Sequence, residues 1–477
     1  MQPLTIPLTS EALTQNVGHW LGRILKEGDV VLLVGDLGAG KTCLVRGAVR
    51  ELIGRADEEV PSPTFNLVQV YEDDEGELPL VYHFDLYRMD DQEEAWELGI
   101  EDAFADGISF VEWPDRLGEL IPDAALGVHI ETDAEGNRTC IIEGVEEWLE
   151  RLRPVHLEAI LYAGGFSTQD LETLADDASF RRYFRLKNDN GRAVLMDAPP
   201  RKEQTRPFVR MAKHLKALGF SAPEVFGDDQ LGGYVLLEDL GDDTYSRLLD
   251  AGEAAEPLYA LAVDVLKDIA HKPEAAEVPI PDYHADILMR EARLLTDWYM
   301  PAVLGKPTER TVIEAFEAAL RPAFEQVAAG SKALVLRDFH VDNLMRLPRD
   351  GLAACGLLDF QDALLGHPAY DLMSLLEDAR RDVDDDLTAA MLARYGVQDD
   401  PDFMTAYRIL GAGRHAKVIG IFTRLMVRDG KDQYIQHIPR CWRLLERAIA
   451  EEEALRPLAE WLHTHLPPES RILPKAS

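Results

Sequence analysis

The octapeptide GDLGAGKT, Gly35 to Thr42, constrains the fold of this chain more than any other stretch. It matches GxxxxGK[ST], stands after the apolar run VVLLV and leads into CLVRGAVRELIG, giving the strand, loop and helix that the pattern needs. Glycines let backbone N–H groups close around a β-phosphate, Lys41 reaches the β- and γ-oxygens, and the Thr42 hydroxyl binds magnesium. Gly35, Asp36, Leu37, Gly38, Ala39, Gly40, Lys41 and Thr42 are therefore the expected cradle of a nucleotide. The segments that follow extend an α/β P-loop domain. VPSPTFNLVQVY (Val60 to Tyr71) reads as a switch-like loop entering a strand, and LPLVYHFDLYRM ends a strand at Asp85, a carboxylate placed for magnesium or its water shell. ISFVEWPDRL ends another at Glu112-Trp113-Pro114, and VHIETDAEGNRTCIIEG closes the domain as a hairpin.

A second phosphate-handling stretch lies far downstream, from Ala333 to Gln361: ALVLRDFHVDNLMRLPRDGLAACGLLDFQ. It puts Asp338, His340 and Asn343 on one short loop after an apolar run and delivers Asp359 at the end of another. Phosphoryl transfer from a nucleotide needs a carboxylate beside the acceptor hydroxyl, and an amide oxygen with a second carboxylate on magnesium. Upstream, LADDASFRRYFRL reads as a nucleotide-covering turn between strands with Ser179 and Phe180 at its tip, and GRAVLMDAPP as a third strand. In GGYVLLEDLGD, the backbone around Glu238 to Leu240 is placed to bind adenine, and Asp371 is placed to brace the catalytic loop. The expected division is residues 1–150 for the P-loop domain and 155–477 for an α+β, bilobal, protein-kinase-like domain. Its small lobe covers about 155–240 and its large lobe about 241–477. Pro154 interrupts the helical EEWLERLRPVHLEAI at the boundary, and no Gly/Ser-rich linker appears, so the halves are expected to pack together.

Charge decides against one class of partner. The net charge of -37 repels phosphate backbones, which disfavours tight direct nucleic-acid binding. The four cysteines lack metal or disulfide spacing, and no apolar run reaches the length of a membrane span, so a cytoplasmic protein without membrane association is expected.

The order GDLGAGKT, SPTF, HFDLYR, VEWPDR over residues 8 to 131 resembles the TsaE family, the small ATPase of the bacterial threonylcarbamoyladenosine tRNA-modification system. The resemblance implies ATP and Mg2+ as ligands, with Lys41 and Thr42 serving them. It also implies Asp85 and Glu112 as the essential acidic pair, Thr64 and Trp113 near the nucleotide, and TsaD- and TsaB-like subunits as partners. Cys43 departs from the family, which usually carries a second Thr there. The downstream half resembles the aminoglycoside phosphotransferase and choline kinase superfamily through DxHxxN and Asp-aromatic. It is most similar to the AmgK-type anomeric amino-sugar kinases, through DASFRRYFRL, MDAPP, LEDLGD, DWYMP, LRDFHVDNLM, LLDFQDALLGHPAYDLMSLLEDAR, RHAKVIGIFTRL and RDGKDQYIQHIPR. That resemblance implies N-acetylmuramate or N-acetylglucosamine as acceptor, Asp338 as catalytic base, and Asn343 and Asp359 as magnesium ligands. Two positions depart from it. Met196 replaces the third-strand Lys, leaving Arg181, Arg182 or Lys187 to supply the positive charge, and Leu336 replaces a loop-orienting His. Trp298-Tyr299 are candidates for stacking on a sugar, and Arg414 and His415 for holding its lactyl carboxylate. The competing readings are a nucleotide-gated interaction module for the first domain, and for the second a kinase of an aminoglycoside, choline, homoserine or a thiosugar.

Overall fold

The computed structural model describes residues 3–89, 93–176 and 180–474. Packing groups the chain into two compact units, Met1–Thr205 with Val225–Asp239, and Arg206–Glu224 with Leu240–Ser477.

The first unit holds two sheets. Seven strands, β1 (Leu4–Leu8), β2 (Val30–Gly35), β3 (Val68–Tyr71), β4 (Leu80–Asp85), β5 (Gly107–Glu112), β6 (Leu126–Thr132) and β7 (Arg138–Glu143), lie in the order β1-β7-β6-β2-β5-β4-β3. The pairs β6–β2, β2–β5 and β5–β4 are parallel, while the edges are antiparallel. Buried apolar side chains cover both faces, as a parallel core requires. The edge strand β1 is not evident in the sequence because Pro3 and Pro7 break the pattern, and prolines within sheets are tolerated at edges.

Helix α1 (Glu11–Gly22), whose N-cap Ser10 accepts a hydrogen bond from the Leu13 N–H, packs on α2 (Lys41–Leu52). Glycines make the approach possible. A Cβ on Gly18 would stand 1.9 Å from the Leu44 carbonyl oxygen, and one on Gly47 2.0 Å from that of Gln15.

The second sheet, β8 (Leu171–Asp176), β9 (Arg182–Asn188), β10 (Gly191–Asp197), β11 (Val225–Asp229) and β12 (Tyr234–Leu237), is antiparallel in the order β11-β12-β10-β9-β8. Helix α3 (Arg153–Ala163) serves both sheets. Leu152, just before it, and Val155 are buried in the first domain's core, whereas Ile160 and Leu161 are buried with Leu186, Leu195 and Leu236 of the second sheet. Polar contacts follow the same division: Arg23 pairs with Glu158 at 2.9 Å, Arg153 Nε donates to the Gly232 carbonyl at 3.0 Å, and His156 Nδ1 lies 2.7 Å from Asp229. The helical stretch breaks where Pro154 predicts: a short helix, Trp148–Arg151, ends at Leu152, and Pro154 sits in the first turn of α3, where a missing N–H has no intrahelical partner.

The second unit is mainly helical. The helices that shape its site are α4 (Ala285–Ala292), α5 (Ala369–Leu376), α6 (Pro401–Asp429) and α7 (Ile438–Glu451). Two short antiparallel pairs, β13 (Ala333–Val335) with β16 (Leu364–Gly366) and β14 (Leu344–Arg346) with β15 (Cys355–Leu357), carry the loop of interest. Tyr299 is fully buried, its hydroxyl donating to the Ile472 carbonyl at 2.8 Å and its ring 5.6 Å from that of Trp442; it is a packing residue and has no face open to a sugar. Among the described residues, no helix is long and apolar enough to cross a membrane.

Candidate active sites

The first site forms where β2 ends between β5 and β6. Gly35, Gly38 and Gly40 have φ of +154°, +79° and +117°, values that side-chain-bearing residues rarely adopt, and Gly40 caps α2. At such a helix start the first N–H groups have no intrahelical acceptor and are available to an anion. Lys41 Nζ folds over the loop, donating to the carbonyls of Gly35 at 2.8 Å and Asp36 at 3.1 Å. It lies 4.0 Å from Glu112 Oε2 and 4.4 Å from the centre of the Trp113 ring. Burial lowers its pKa, opposed by Glu112, Asp85 and Asp36.

Asp85 and Glu112 are register partners at the ends of parallel β4 and β5, and both are buried. Glu112 Oε1 accepts from the Thr42 hydroxyl at 2.7 Å and lies 3.0 Å from Nε2 of the buried His83. Asp85 Oδ2 accepts from Ser62 at 2.5 Å and Thr64 at 2.6 Å, while its Oδ1 accepts the Tyr87 N–H at 3.2 Å. Two carboxylates with a hydroxyl between them and the phosphate loop form an all-oxygen set that suits Mg2+, which takes few protein ligands and keeps several waters. Ser62 and His83 were not singled out by sequence reasoning, although each stands two residues from a chosen position on an extended segment, the spacing that returns a side chain to the same face.

The second site lies on the loop after β13. Asn343, at the end of a 3-10 turn (Val341–Asn343), donates from Nδ2 to the Asp338 carbonyl at 2.9 Å and to Asp359 Oδ2 at 3.4 Å; Asp359 Oδ1 accepts from Gln361 Nε2 at 2.5 Å. Asp338, Asn343 and Asp359 are thus one group, and an amide oxygen beside a carboxylate again fits Mg2+ with nucleotide phosphates completing its shell. Asp371, fully buried on α5, braces the loop: its Oδ2 accepts the Leu336 N–H at 2.6 Å and its Oδ1 the Arg337 N–H at 2.9 Å. Burial pushes this carboxyl up to about 7 against those two bonds. Burial would also raise Asp338, but Lys417 and Arg414 of α6, with His340 and Arg337, hold it below the ordinary carboxylate range. Arg414 Nη1 stands 4.0 Å from Asp338 Oδ1, whereas His415 turns away to Glu377 at 2.6 Å.

Among the described residues, the non-glycine positions with positive φ are Leu67, Trp113, Arg337 and Asp359. Two flank the first site and two the second, so backbone strain collects at these two places. The small-lobe candidates are more scattered. Phe180 is exposed under the Lys202 ammonium, Arg181 pairs with Glu203 at 3.3 Å, and Arg182 pairs with Asp197 at 2.5 Å. Lys187 is exposed and Met196 is fully buried. Glu238 follows β12, and Leu240 begins the second unit. Ser179 lies outside the described residues.

Comparison with known proteins assigns the two sites to different families. The family model "Threonylcarbamoyl adenosine biosynthesis protein TsaE" matches residues 8–140, and "Phosphotransferase enzyme family" matches residues 170–407. An N-acetylmuramate/N-acetylglucosamine kinase of Caulobacter vibrioides is 36% identical over 353 residues, 66% of this chain and 96% of that protein. The protein of the same name from Pseudomonas aeruginosa is 38% identical over 307 residues, 61% of this chain and 88% of its own length. A tRNA threonylcarbamoyladenosine biosynthesis protein TsaE of Rickettsia felis is 37% identical over 135 residues, 28% of this chain and 77% of that protein. With a phosphate loop and acidic pair in one half and a braced Asp-Asn-Asp group in the other, the chain belongs to the TsaE family through its N-terminal part and to the phosphotransferase enzyme family through its C-terminal part.

Proposed function

We propose that the chain is bifunctional. Residues 1–150 turn over ATP in support of tRNA threonylcarbamoyladenosine modification, acting with TsaD- and TsaB-like subunits. Residues 155–477 transfer the γ-phosphoryl group of ATP to the anomeric hydroxyl of N-acetylmuramate or N-acetylglucosamine. The observation that carries the second part is the grouping of Asp338, Asn343 and Asp359 around one hydrogen-bonded loop. In this reading Asp338 accepts the proton of the acceptor hydroxyl as its oxygen bonds to the γ-phosphorus, the bond to the bridging oxygen breaks, and ADP leaves. Mg2+ supplies neutralisation of charge on the phosphate oxygens, held by Asn343 and Asp359 here and by Thr42, Asp85 and Glu112 in the first domain. In this reading Glu238 and Leu240 are assigned to adenine through their backbone, and Phe180 and Arg181 to the phosphates.

A different reading of the first domain, as a module whose nucleotide state gates partner binding, is favoured by one observation. Leu37 of the phosphate loop and Phe65 of the switch-like loop are 77% and 82% exposed. Apolar side chains at the mouth of a nucleotide site are suited to docking a protein. ATP turnover by the chain without added subunits supports the enzymatic reading, and turnover only in their presence supports the gating one.

The kinase reading is tested by the product. Incubated with ATP and N-acetylglucosamine, the chain is expected to form a phosphate coupled to the anomeric proton by NMR, whereas a 6-phosphate would refute the assignment. Asp338→Asn should retain nucleotide binding and lose about two to four orders of magnitude in rate.

A further inference from the structure

A His two residues before Asp338 would tie its ring into the loop, but Leu336 offers only its N–H, which Asp371 accepts. The loop is held from the next residue instead. Arg337 has φ +73°, a conformation that a side-chain-bearing residue keeps only under external constraint. Its Nη1 donates to the Asp362 carbonyl at 3.1 Å and its Nη2 to Glu291 Oε1. The other oxygen of Glu291 accepts from the Tyr283 hydroxyl at 2.6 Å and pairs with Lys417 Nζ at 3.2 Å. One carboxylate of α4 therefore joins the catalytic loop, Tyr283 and α6. All three charged members are largely buried, with side-chain exposures of 17% for Arg337, 13% for Glu291 and 9% for Lys417, so solvent screens them weakly.

The arrangement also distributes charge. Three cations, Arg337, Arg414 and Lys417, act on Asp338, yet only Arg414 has a charged atom within 4.0 Å of its carboxylate. Arg337 and Lys417 are both engaged by Glu291. Released from it, a flexible lysine stem can reach a nearby carboxylate and pair with it, occupying the oxygen that a substrate hydroxyl needs.

We propose that Glu291 is the positioning residue of the transfer site: by clamping Arg337 and Lys417 it fixes the loop that carries Asp338 and keeps both cations off the Asp338 carboxylate. This rests on reading Asp338 as the acceptor of the hydroxyl proton. The role is exerted through Arg337 and Lys417 and requires no contact with substrate.

The test uses the full chain, with N-acetylglucosamine and ATP and ADP release as readout. Glu291→Gln is expected to lower kcat about 10- to 100-fold while KM for ATP stays within about 3-fold, because an interaction that orders the reacting groups is lost and nucleotide binding is not. Glu291→Asp should recover most of the rate. The double variant Glu291→Gln, Lys417→Met should be faster than Glu291→Gln alone, since it removes the cation that the first change sets free; a merely structural glutamate gives no such rescue. An unchanged kcat in Glu291→Gln overturns the proposal, as does a double variant slower than the single one. So does a loss that falls equally on kcat and KM for ATP and follows a lowered melting temperature. Asp338→Asn distinguishes failure of the transfer-site reading from failure of the Glu291 role. If it keeps the wild-type rate, the reading of the transfer site fails; if it is inactive while Glu291→Gln is normal, only the positioning role fails.

Discussion

Asp371 is fully buried, yet both of its carboxylate oxygens are used by the backbone of the transfer loop. An amide has one acceptor oxygen, so Asp371→Asn turns an NH2 group toward a backbone N–H and leaves a buried donor unpaired. The expected cost is about 1–3 kcal/mol in urea unfolding, with a fall in kcat as the loop loses its brace. Glu377 gives a pH dependence of stability. Burial would raise its carboxyl, but His415 and Arg447 outweigh burial and hold it below its ordinary value of 4.5. A carboxyl depressed in the folded state stabilises above its unfolded value and loses that contribution as pH falls through the folded one. The wild type should therefore lose stability below about pH 4.5 more steeply than Glu377→Gln, measured by denaturant midpoints against pH. Residues of this kind differ in how readable they are. Asp338, Asn343 and Asp359 stand out because they share a local spacing with a chemical meaning. Glu291 lies on a separate helix, one of 86 acidic residues in the chain, with no spacing to distinguish it, and only the fold brings it to Arg337.

Among the elements, the crossing of α1 and α2 is the most tightly specified, because the backbones meet at Gly18 and Gly47. The contact also reaches the phosphate loop: a Cβ built on Gly40 would lie 3.6 Å from the Thr14 methyl of α1. Gly47→Ala should push the helices apart at a cost of about 1–3 kcal/mol and weaken ATP binding at Lys41, seen as a lower melting temperature and a raised nucleotide Kd. The sequence announces both helices through their caps, apolar period and motif. It does not announce why glycines sit at helical positions where they cost stability, since that reason lies in the other helix. Strands β1 and β11 were illegible for a related reason. Each is short and lies at a sheet edge, β1 among prolines and β11 ending in Gly-Asp-Asp, so pattern gives way to pairing with a neighbour.

At the scale of the whole molecule, the presence of two folds was legible, because each motif belongs to its own architecture. Lys41→Ala should abolish ATP turnover by the first domain and leave sugar phosphorylation intact; equal loss of both activities would refute independent sites. The net charge of -37 predicts weak tRNA binding by the full chain at physiological salt, and a submicromolar Kd under those conditions would count against it. How the halves are joined was only partly legible: the absence of a linker suggested packing, but not that one helix would complete two cores. Val155 fills one and Ile160 and Leu161 the other, with the Trp20 and Tyr162 rings 6.0 Å apart across the junction. A scission at this helix strips a wall from each neighbour, so neither half is a ready-made independent product, and a cell that degrades one activity should forfeit the other in equal number. Fusion on these terms fixes the two catalysts at one to one for the lifetime of the molecule, with a common fate under heat, proteolysis or mutation of the shared helix.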